Sequence, residues 1–301
     1  MLKVPLIKYP IRVLLVEDDP DFSHALCELM KDEASFKFET TPPIAKKLDS
    51  LGGVDQAVET LFYGDEPEAG VFTSEIHLNQ FKRLKKTLDN LYPIIVSDYY
   101  LGPLDGLTLF ENIQDGFVQK LLITNAADET LAIEAFNKGQ IHGFLKKHLR
   151  DFDEHLKSEI IRNIDRFFLG LSEKIAGSSL RGMQSLLEEE DFKTFFDRYI
   201  ADHKIQEFYA IDGMGSYLLV SKRGKEIFHI SSQEELEDAS EIYTSPIREK
   251  LSDFSHQIVR YEKGAFSRPL ENAQKDLVKA SKVLIKGKSY YYSVFPQSAG
   301  N

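Results

Sequence analysis

The order of apolar and polar positions in the first half of the chain predicts strands that alternate with amphipathic helices. The predicted strands are IRVLLV (11–16), SFKFET (35–40), YPIIVSD (92–98), KLLITN (120–125) and HGFLKK (142–147). Apolar residues at helical spacing occupy DFSHALCELMKDEA after the first strand and DETLAIEAFNKG before the last. Helices of this length between strands favour βαβ units, so we expect an α/β domain over residues 1–150 with a doubly wound, five-stranded parallel sheet.

One crossover of that domain is about twice too long for a single helix and loop. Residues 44–92 contain the segments GGVDQAVETLFYGDEPEAG and EIHLNQFKRLKKTLDNLY, which indicate an extra helical excursion. We interpret this region as an insertion. A surface for a partner and a merely longer crossover both remain open.

The pattern changes after residue 150. Apolar residues spaced by three and four predict a long amphipathic helix, with the stripe Leu156, Ile160, Ile164, Phe167 and Leu171. With the polar segment SEKIAGSSLRGMQ and the helix EDFKTFFDRYIADHKI, it forms a predicted helical linker over 151–204. Residues 205–301 are predicted to form an α+β domain on an antiparallel sheet. Its elements are strands in QEFYAID, GSYLLVSK and KEIFHIS, helices in SQEELEDASEIY and SPIREKLSDFSHQIV, and a hairpin SKVLIKGKSYYYSVF around Lys286-Gly287.

Composition restricts the class of protein. No stretch approaches the roughly 18 apolar residues of a membrane span, so we expect no membrane segment. A single cysteine, Cys27, excludes an internal disulfide and a zinc site of several cysteines, and favours the cytoplasm. The net charge is −11, and neither half of the chain has a basic excess. Because neutralisation of phosphates supplies much of the affinity of DNA-binding modules, this charge disfavours nucleic acid as a partner.

Several predicted strands of the first domain end in polar residues, which a parallel sheet gathers at one edge. Crowded carboxylates repel one another unless a cation holds them, and oxygen ligands with an open, hydrated side suit Mg²⁺. A hydroxyl and an ammonium are suited to the remaining oxygens of a phosphoryl group, whose acceptor would be a carboxylate. An N-cap of the next helix is the alternative role for the acidic run. The residues concerned are Glu17, Asp18, Asp19, Asp98, Thr124 and Lys147.

These motifs resemble a known family. VLLVEDDP, IIVSDYYLGPLDGL, LLIT and GFLKKH are similar, in this order, to the successive motifs of CheY-like receiver domains of two-component response regulators. The resemblance covers roughly residues 10–150 apart from the insertion. It implies the receiver fold and a phosphoryl group accepted from a sensor histidine kinase or a phosphotransfer protein.

The resemblance also implies roles for individual residues. Asp98 would be the phospho-acceptor, with Mg²⁺ as cofactor. The metal ligands would be Asp18 directly, Glu17 through water, Asp98, and the backbone carbonyl of Tyr100. Thr124 would be the hydroxyl that moves toward the phosphoryl group, and Lys147 the lysine that contacts it. Asp19 lies one position beyond the acidic pair of the family, and Lys147 is preferred to Lys146 because it stands three residues after Phe144.

Three positions depart from the family pattern. His148 replaces the proline that commonly follows the lysine, so a cis peptide there would carry the penalty of roughly 2.5–4 kcal/mol that non-proline residues pay. Gly102 stands where many relatives have proline. Phe144 is aromatic but has no hydroxyl, so any coupling between it and Thr124 would be steric.

The second domain shows no motif of a familiar output domain. The leading hypothesis is a phosphorylation switch, not an enzyme in its own right, whose output domain binds a protein or a small ligand. A transcription regulator with an unfamiliar DNA-binding domain is the alternative, and an effector enzyme with an unrecognised site is a third. We also expect a phosphorylation-dependent homodimer, with Phe167 and Leu171 near the contact.

Overall fold

The computed structural model describes residues 1–42, 51–62, 74–102, 104–125, 129–176, 183–211, 215–235, 257–259 and 277–296. These residues divide into two compact units. The first contains the described parts of 9–62 and 82–175, and the second contains 1–8, 74–81 and the described residues from 176 onward. Among the described residues, no helix has the length and apolar character needed to cross a membrane.

The first unit is built on a five-stranded parallel sheet in the order β3-β2-β4-β5-β6. This order confirms the predicted doubly wound sheet. Its central strands are almost wholly buried, as strands covered on both faces must be. The strands are β2 (Ile11–Val16), β3 (Phe36–Thr41), β4 (Ile94–Asp98), β5 (Gln119–Thr124) and β6 (Gly143–Lys146).

The crossovers between these strands are helical. The insertion contributes two helices, as the sequence predicted. Asp115 fixes the start of the first of them, because its carboxylate accepts from the backbone N–H of Val54 at 2.6 Å. The helices are α1 (Pro20–Met30), α2 (Val54–Phe62), α3 (Ser74–Leu88), α4 (Gly106–Glu111), α5 (Glu129–Asn137) and α6 (Phe152–Ala176).

The second unit is built on a six-stranded antiparallel sheet in the order β1-β7-β8-β9-β13-β12. A helix packs on one face through aromatic rings in edge-to-face and tilted contacts, among them Phe196 against Phe208, Tyr217 and Phe228. A separate two-stranded ladder joins β10 to β11. The elements are β1 (Ile7–Lys8), α7 (Gln184–Leu187), α8 (Glu190–Asp202), β7 (Ile205–Ala210), β8 (Ser216–Ser221), β9 (Gly224–Ser232), β10 (Gln257–Val259), β11 (Leu277–Lys279), β12 (Ser281–Ile285) and β13 (Lys288–Pro296).

Three segments lie in a different unit from the one that the sequence indicated. Residues 74–81, expected in the insertion of the first domain, belong to the second unit. Residues 1–8, expected in the first domain, pair with the antiparallel sheet, where Ile7 faces Tyr209 and Lys8 faces Phe208. Residues 152–175 of α6, expected in a linker, are part of the first unit. Residues 1–8 and 152–175 both carry apolar side chains that must be buried against a neighbouring surface. The predicted domain boundaries separated them from that surface.

The predicted stripe of α6 is buried, but within the chain itself. Leu156, Ile160 and Ile164 are at most 1 % exposed. Phe167 is 1 % exposed and Leu171 is fully buried, so neither side chain is available to a second copy of the chain. The expected dimer contact at Phe167 and Leu171 is therefore wrong, because intramolecular packing already covers both residues.

One predicted helix of the second domain is wrong at its end. Residues 257–259, expected to close the helix over 245–259, form β10 and pair with β11. Ile258 and Val259 are branched residues with strand preference, and the ladder gives their backbone groups partners that the helical pattern did not anticipate. The remainder of both predicted helices, over 236–256, lies outside the described residues.

Candidate functional site

The parallel sheet brings the predicted site residues to one edge. Parallel pairing places Val16 beside Ser97, Asp98 beside Ile123 and Thr124 beside Lys146, so these strands end at the same level. The backbone N–H of Lys147 also donates to the carbonyl of Thr124 at 2.9 Å. Residues that follow the strands therefore converge at this edge, as open α/β sheets require for a binding site.

The centre of the site is the ammonium of Lys147, which lies between two buried carboxylates. Its Nζ is 2.7 Å from Asp98 Oδ2 and 2.9 Å from Glu17 Oε2. Asp98 is 4 % exposed and Glu17 is 3 % exposed. The second oxygen of Asp98 accepts from the backbone N–H of Tyr99 at 2.8 Å. Sequence analysis predicted all three charged residues, although it could not predict the distances between them.

Burial changes the protonation behaviour of this group. Burial raises the pKa of Glu17 to about 7, against the opposing effect of the hydrogen bond from Lys147. The pKa of Asp98 is also raised by burial, although Lys147 and the Tyr99 N–H oppose this. For Lys147, burial alone would lower the pKa, but its hydrogen bonds to Asp98 and Glu17 outweigh burial and raise it. Burial therefore disfavours the ionised form of both carboxylates, and the hydrogen bonds from Lys147 offset this only in part.

The acidic residues at this edge fit a divalent cation. One carboxylate oxygen from each of Glu17, Asp18 and Asp98 lies within 4.8 Å of the others, and Asp18 is exposed. A set of carboxylate oxygens with one solvent-facing member suits Mg²⁺, which keeps several water ligands.

Asp19 has a structural position beside this cluster. It is the N-cap of α1, and its side chain accepts from the backbone N–H groups of Asp21 at 2.9 Å and Phe22 at 3.2 Å. Its own N–H donates to Glu17 Oε1 at 3.3 Å. The N-cap role that the sequence left open thus belongs to Asp19, while Glu17 and Asp18 lie at the carboxylate cluster.

Thr124 and Tyr100 lie at the same edge with other partners. Thr124 is fully buried, and its hydroxyl donates to the carbonyl of Asn125 at 3.1 Å. Tyr100 is 53 % exposed and forms an isolated backbone bridge with Asp105.

Phe144 contacts the ring of Phe136, with centroids 6.4 Å apart. The peptide bond after Lys147 is trans, since the described residues contain no cis peptide.

The sequence pattern missed two residues that shape the site. Gly106 follows the loop after β4, and a Cβ there would lie 2.3 Å from the carbonyl oxygen of Asp98. The ring of Phe22 lies beneath the ammonium of Lys147, with 4.7 Å between Nζ and the ring centroid. The segment LDGL follows the strand that ends at Asp98, so its glycine could have been identified from the sequence. The helical pattern, in contrast, placed Phe22 only on the apolar face of a helix.

Comparison with known proteins agrees with this architecture. No protein-family model and no curated protein matches the chain. The structure of the response regulator LqsR of Legionella pneumophila has a TM-score of 0.74 at 20 % identity, and the match covers 99 % of this chain and 90 % of that chain. The chain has the fold of that protein. At this identity the likeness concerns the fold alone, which comprises a receiver-type parallel sheet and a second, antiparallel domain.

Two further solved structures match only about half of the chain. An adenylate cyclase from Rhodopirellula baltica is 20 % identical, with a TM-score of 0.36 over 55 % of this chain and 95 % of that chain. A response regulator receiver domain protein from Clostridium thermocellum is 15 % identical, with a TM-score of 0.34 over 53 % of this chain and 98 % of that chain. TM-scores this low carry no argument about the function of this chain.

Proposed function

We propose that the chain is a response regulator of a two-component phosphorelay and that Asp98 accepts the phosphoryl group. The observation that carries this proposal is the ammonium of Lys147 held 2.7 Å from Asp98 and 2.9 Å from Glu17, at the edge where Asp18 completes a carboxylate cluster. A carboxylate that is already ionised needs no general base to attack phosphorus. The donor is a phosphohistidine of a sensor kinase or of a phosphotransfer protein.

Each residue of the site has a separate role in this reaction. A carboxylate oxygen of Asp98 attacks phosphorus in line; a P–O bond forms and the P–N bond to the donor histidine breaks, leaving its imidazole with the electron pair. Lys147 would neutralise charge on the phosphoryl oxygens, and Thr124 would turn its hydroxyl from the carbonyl of Asn125 to donate to one of them. The residues that would hold Mg²⁺ are Asp18 and Asp98, Glu17 through water, and the backbone carbonyl of Tyr100, and the ion would supply further positive charge.

The experiment that tests the proposal is labelling with a phosphodonor. The full chain, with Mg²⁺ and radiolabelled acetyl phosphate, should gain one acid-stable, base-labile phosphoryl group. Asp98→Asn should abolish the label, while Asp105→Asn, a change at the N-cap of α4 beside the same loop, should retain it. Labelling of the Asp98→Asn variant at the rate of the unaltered chain would overturn the assignment.

Metal binding separates the neighbouring acidic residues. Asp18→Asn should weaken Mg²⁺ binding by at least about tenfold, because it removes a direct ligand. Asp19→Asn is the matched control, since asparagine keeps the cap that Asp19 gives to α1. Titration of Mg²⁺ by isothermal calorimetry measures both. Equal losses in the two variants would mean that the acidic pair is shifted by one residue.

We further propose that the second domain transmits the phosphorylation state by binding a protein or a small ligand, and that the chain catalyses no reaction beyond its own phosphorylation and dephosphorylation. The net charge of −11 supports this over DNA binding. Phosphorylation-dependent dimerisation is part of the proposal, with a contact that excludes the buried Phe167 and Leu171. Light scattering of the phosphorylated chain tests dimerisation, and retention on heparin at low salt tests DNA binding.

A further inference from the structure

The side chain of Phe22 connects the candidate phosphorylation site to α6. Its ring lies 4.7 Å from Lys147 Nζ, the same ammonium that contacts Asp98 and Glu17. The ring also contacts Phe152, the first residue of α6, with centroids 6.0 Å apart and planes inclined by 42°. All of these residues belong to the first unit.

The backbone around Phe22 is fixed by the site itself. The N–H of Phe22 donates to the side chain of Asp19, whose own N–H donates to Glu17. Phe22 therefore stands in the first turn of α1, which begins one residue after the acidic run. The backbone that carries the ring is thus fixed, whereas the four-carbon stem of a lysine is flexible and loses rotamer freedom when it is fixed.

The other end of the contact is also anchored. Lys157, in the second turn of α6, forms an ion pair with Glu33 at 2.6 Å, so α6 is bound to the segment that follows α1. From Phe152 the helix continues as one element to Ala176, the residue at which the second unit resumes. A displacement of the Phe22 ring would therefore act on the first turn of a helix that is continuous with the second unit along the chain.

We propose that Phe22 is a positioning residue: its ring holds the ammonium of Lys147 at Asp98 and transmits any movement of that ammonium to Phe152 and α6. An ammonium over the face of an aromatic ring is attracted by the ring quadrupole, most strongly where water is excluded, and Lys147 is 16 % exposed. A phosphoryl group on Asp98 would attract the ammonium of Lys147 toward its oxygens. This would change the contact between the ammonium and the ring of Phe22. This inference rests on the proposed function of Asp98.

The first test needs no phosphoryl group. In the full chain labelled with ¹³C-lysine, the Hε protons of Lys147 should be shifted upfield by the ring current of Phe22, and the signal is assigned by its loss in Lys147→Arg. Phe22→Leu keeps apolar bulk but removes the ring, so the shift should move to the ordinary lysine position. Phe22→Tyr keeps the ring and should restore the upfield shift. An unchanged shift in Phe22→Leu would overturn the inference.

The second test uses beryllofluoride, a mimic of the phosphoryl group, together with Mg²⁺. Phe22→Leu should bind it about threefold more weakly, and Phe22→Tyr should bind it as the unaltered chain does. The amide signals of Phe152 and Asp153 should respond to beryllofluoride in the unaltered chain and in Phe22→Tyr, but not in Phe22→Leu. Phe38→Leu, a half-buried phenylalanine on the edge strand β3, is the matched control and should behave as the unaltered chain.

The outcomes separate the two proposals. If the unaltered chain does not bind beryllofluoride, the proposed function of Asp98 fails, while the ring-current shift still decides the placement of Lys147. If the unaltered chain binds it and Phe22→Leu shows the same affinity and the same response at Phe152, the function stands and the role of Phe22 is overturned.

Discussion

Gly106 shows how a single residue sets the shape of the site. A Cβ at this position would lie 2.3 Å from the backbone carbonyl oxygen of Asp98 and 2.9 Å from Leu122 Cδ1. The carbonyl cannot move freely, because it belongs to the end of β4 and also accepts from the hydroxyl of Ser97 at 2.9 Å. The close approach of α4 to the strand that carries Asp98 therefore requires glycine.

We predict that Gly106→Ala lowers the free energy of unfolding by about 1–3 kcal/mol, the usual cost of overpacking. It should also slow labelling of Asp98, since the added methyl displaces the backbone on which the carboxylate stands. Gly170→Ala is the control: a Cβ there meets no atom within 4 Å, and alanine in a helix interior is favoured over glycine by roughly 0.5–1 kcal/mol. Chemical denaturation measures both, and equal stability of the two variants would contradict the steric argument.

The second prediction at this scale concerns pH. The folded state raises the pKa of Glu17 from its ordinary value of 4.5 to about 7, mainly through burial. A raised carboxyl pKa contributes stability that is fully present below pH 4.5 and is lost as the pH rises through about 7. In the absence of Mg²⁺, Glu17→Gln should therefore lose less stability than the unaltered chain between these values.

Thermal unfolding at pH 5.5 and pH 8 tests this prediction. Mg²⁺ should raise the melting temperature of the unaltered chain more at pH 8, where Glu17 is ionised and available to the cation. In Glu17→Gln the effect of Mg²⁺ should depend less on pH. A parallel decline of both proteins with rising pH would show that another group is responsible.

The limits of sequence analysis at this scale are physical. Asp98, Glu17 and Lys147 could be predicted because charged residues directly after apolar strands must meet at one edge of a parallel sheet. The cap role of Asp19 could not be separated from metal binding, because an acidic run before a helix serves either purpose. The ring of Phe22 under Lys147 depends on the rotation of α1 about its axis, which spacing along the chain does not fix.

At the scale of elements, a row of polar side chains crosses the antiparallel sheet. His229 on β9 faces Ser216 on β8 and Ser293 on β13. Its Nδ1 is 2.8 Å from the hydroxyl of Ser216, and its Nε2 is 2.8 Å from that of Ser231. The hydroxyl of Ser293 is buried and has no hydrogen-bond partner among the described residues. Both imidazole nitrogens of His229 therefore have a hydroxyl partner, and neither remains to bond the hydroxyl of Ser293.

We predict that Ser293→Ala leaves the free energy of unfolding unchanged or raises it by about 1 kcal/mol, because it removes a buried polar group that has no partner. Ser231→Ala removes a hydroxyl that is bonded to His229 and should lower the free energy of unfolding by roughly 0.5–1.5 kcal/mol. Denaturant titration compares the two variants. Greater destabilisation by Ser293→Ala than by Ser231→Ala would show that Ser293 has a partner in solution.

Elements were predictable where the local pattern is strong. The strand IRVLLV is observed at the predicted residues, and the hairpin turns at Lys286 and Gly287, whose φ angles of 51° and 75° are those of a two-residue hairpin turn. β1 and β10 were missed because they are two and three residues long, and their pairing depends on distant strands. A short segment carries too little periodicity to distinguish strand from loop or helix end.

At the scale of the whole molecule, the chain contributes to the second unit before it builds the first. Residues 1–8 lie with the antiparallel sheet, and the chain from residue 9 to 175 builds the parallel sheet, apart from residues 74–81, which belong to the second unit. The chain returns to the second unit at residue 176. The pairing of β1 with β7 is reinforced by backbone hydrogen bonds from Lys3 to Leu187 at 2.8 Å and from Ala210 to Leu6 at 2.6 Å. The second unit is therefore incomplete without the first eight residues.

This continuity gives the last prediction. A chain that starts at Tyr9 after an initiating methionine lacks Leu2, Val4, Leu6 and Ile7, each at most 5 % exposed. Burial of such side chains is worth about 1.5–3 kcal/mol each, and their loss also leaves the edge of β7 unpaired.

Amide hydrogen exchange should accelerate in β7 of the truncated chain and stay unchanged in β2. Ile7→Ala should give a milder form of the same effect, with a loss of about 2–5 kcal/mol, while Leu284→Ala, at a residue of the same sheet that is 62 % exposed, should give none. Equal protection of β7 with and without residues 1–8 would show that the antiparallel sheet is complete from β7 onward and that β1 adds nothing to its stability.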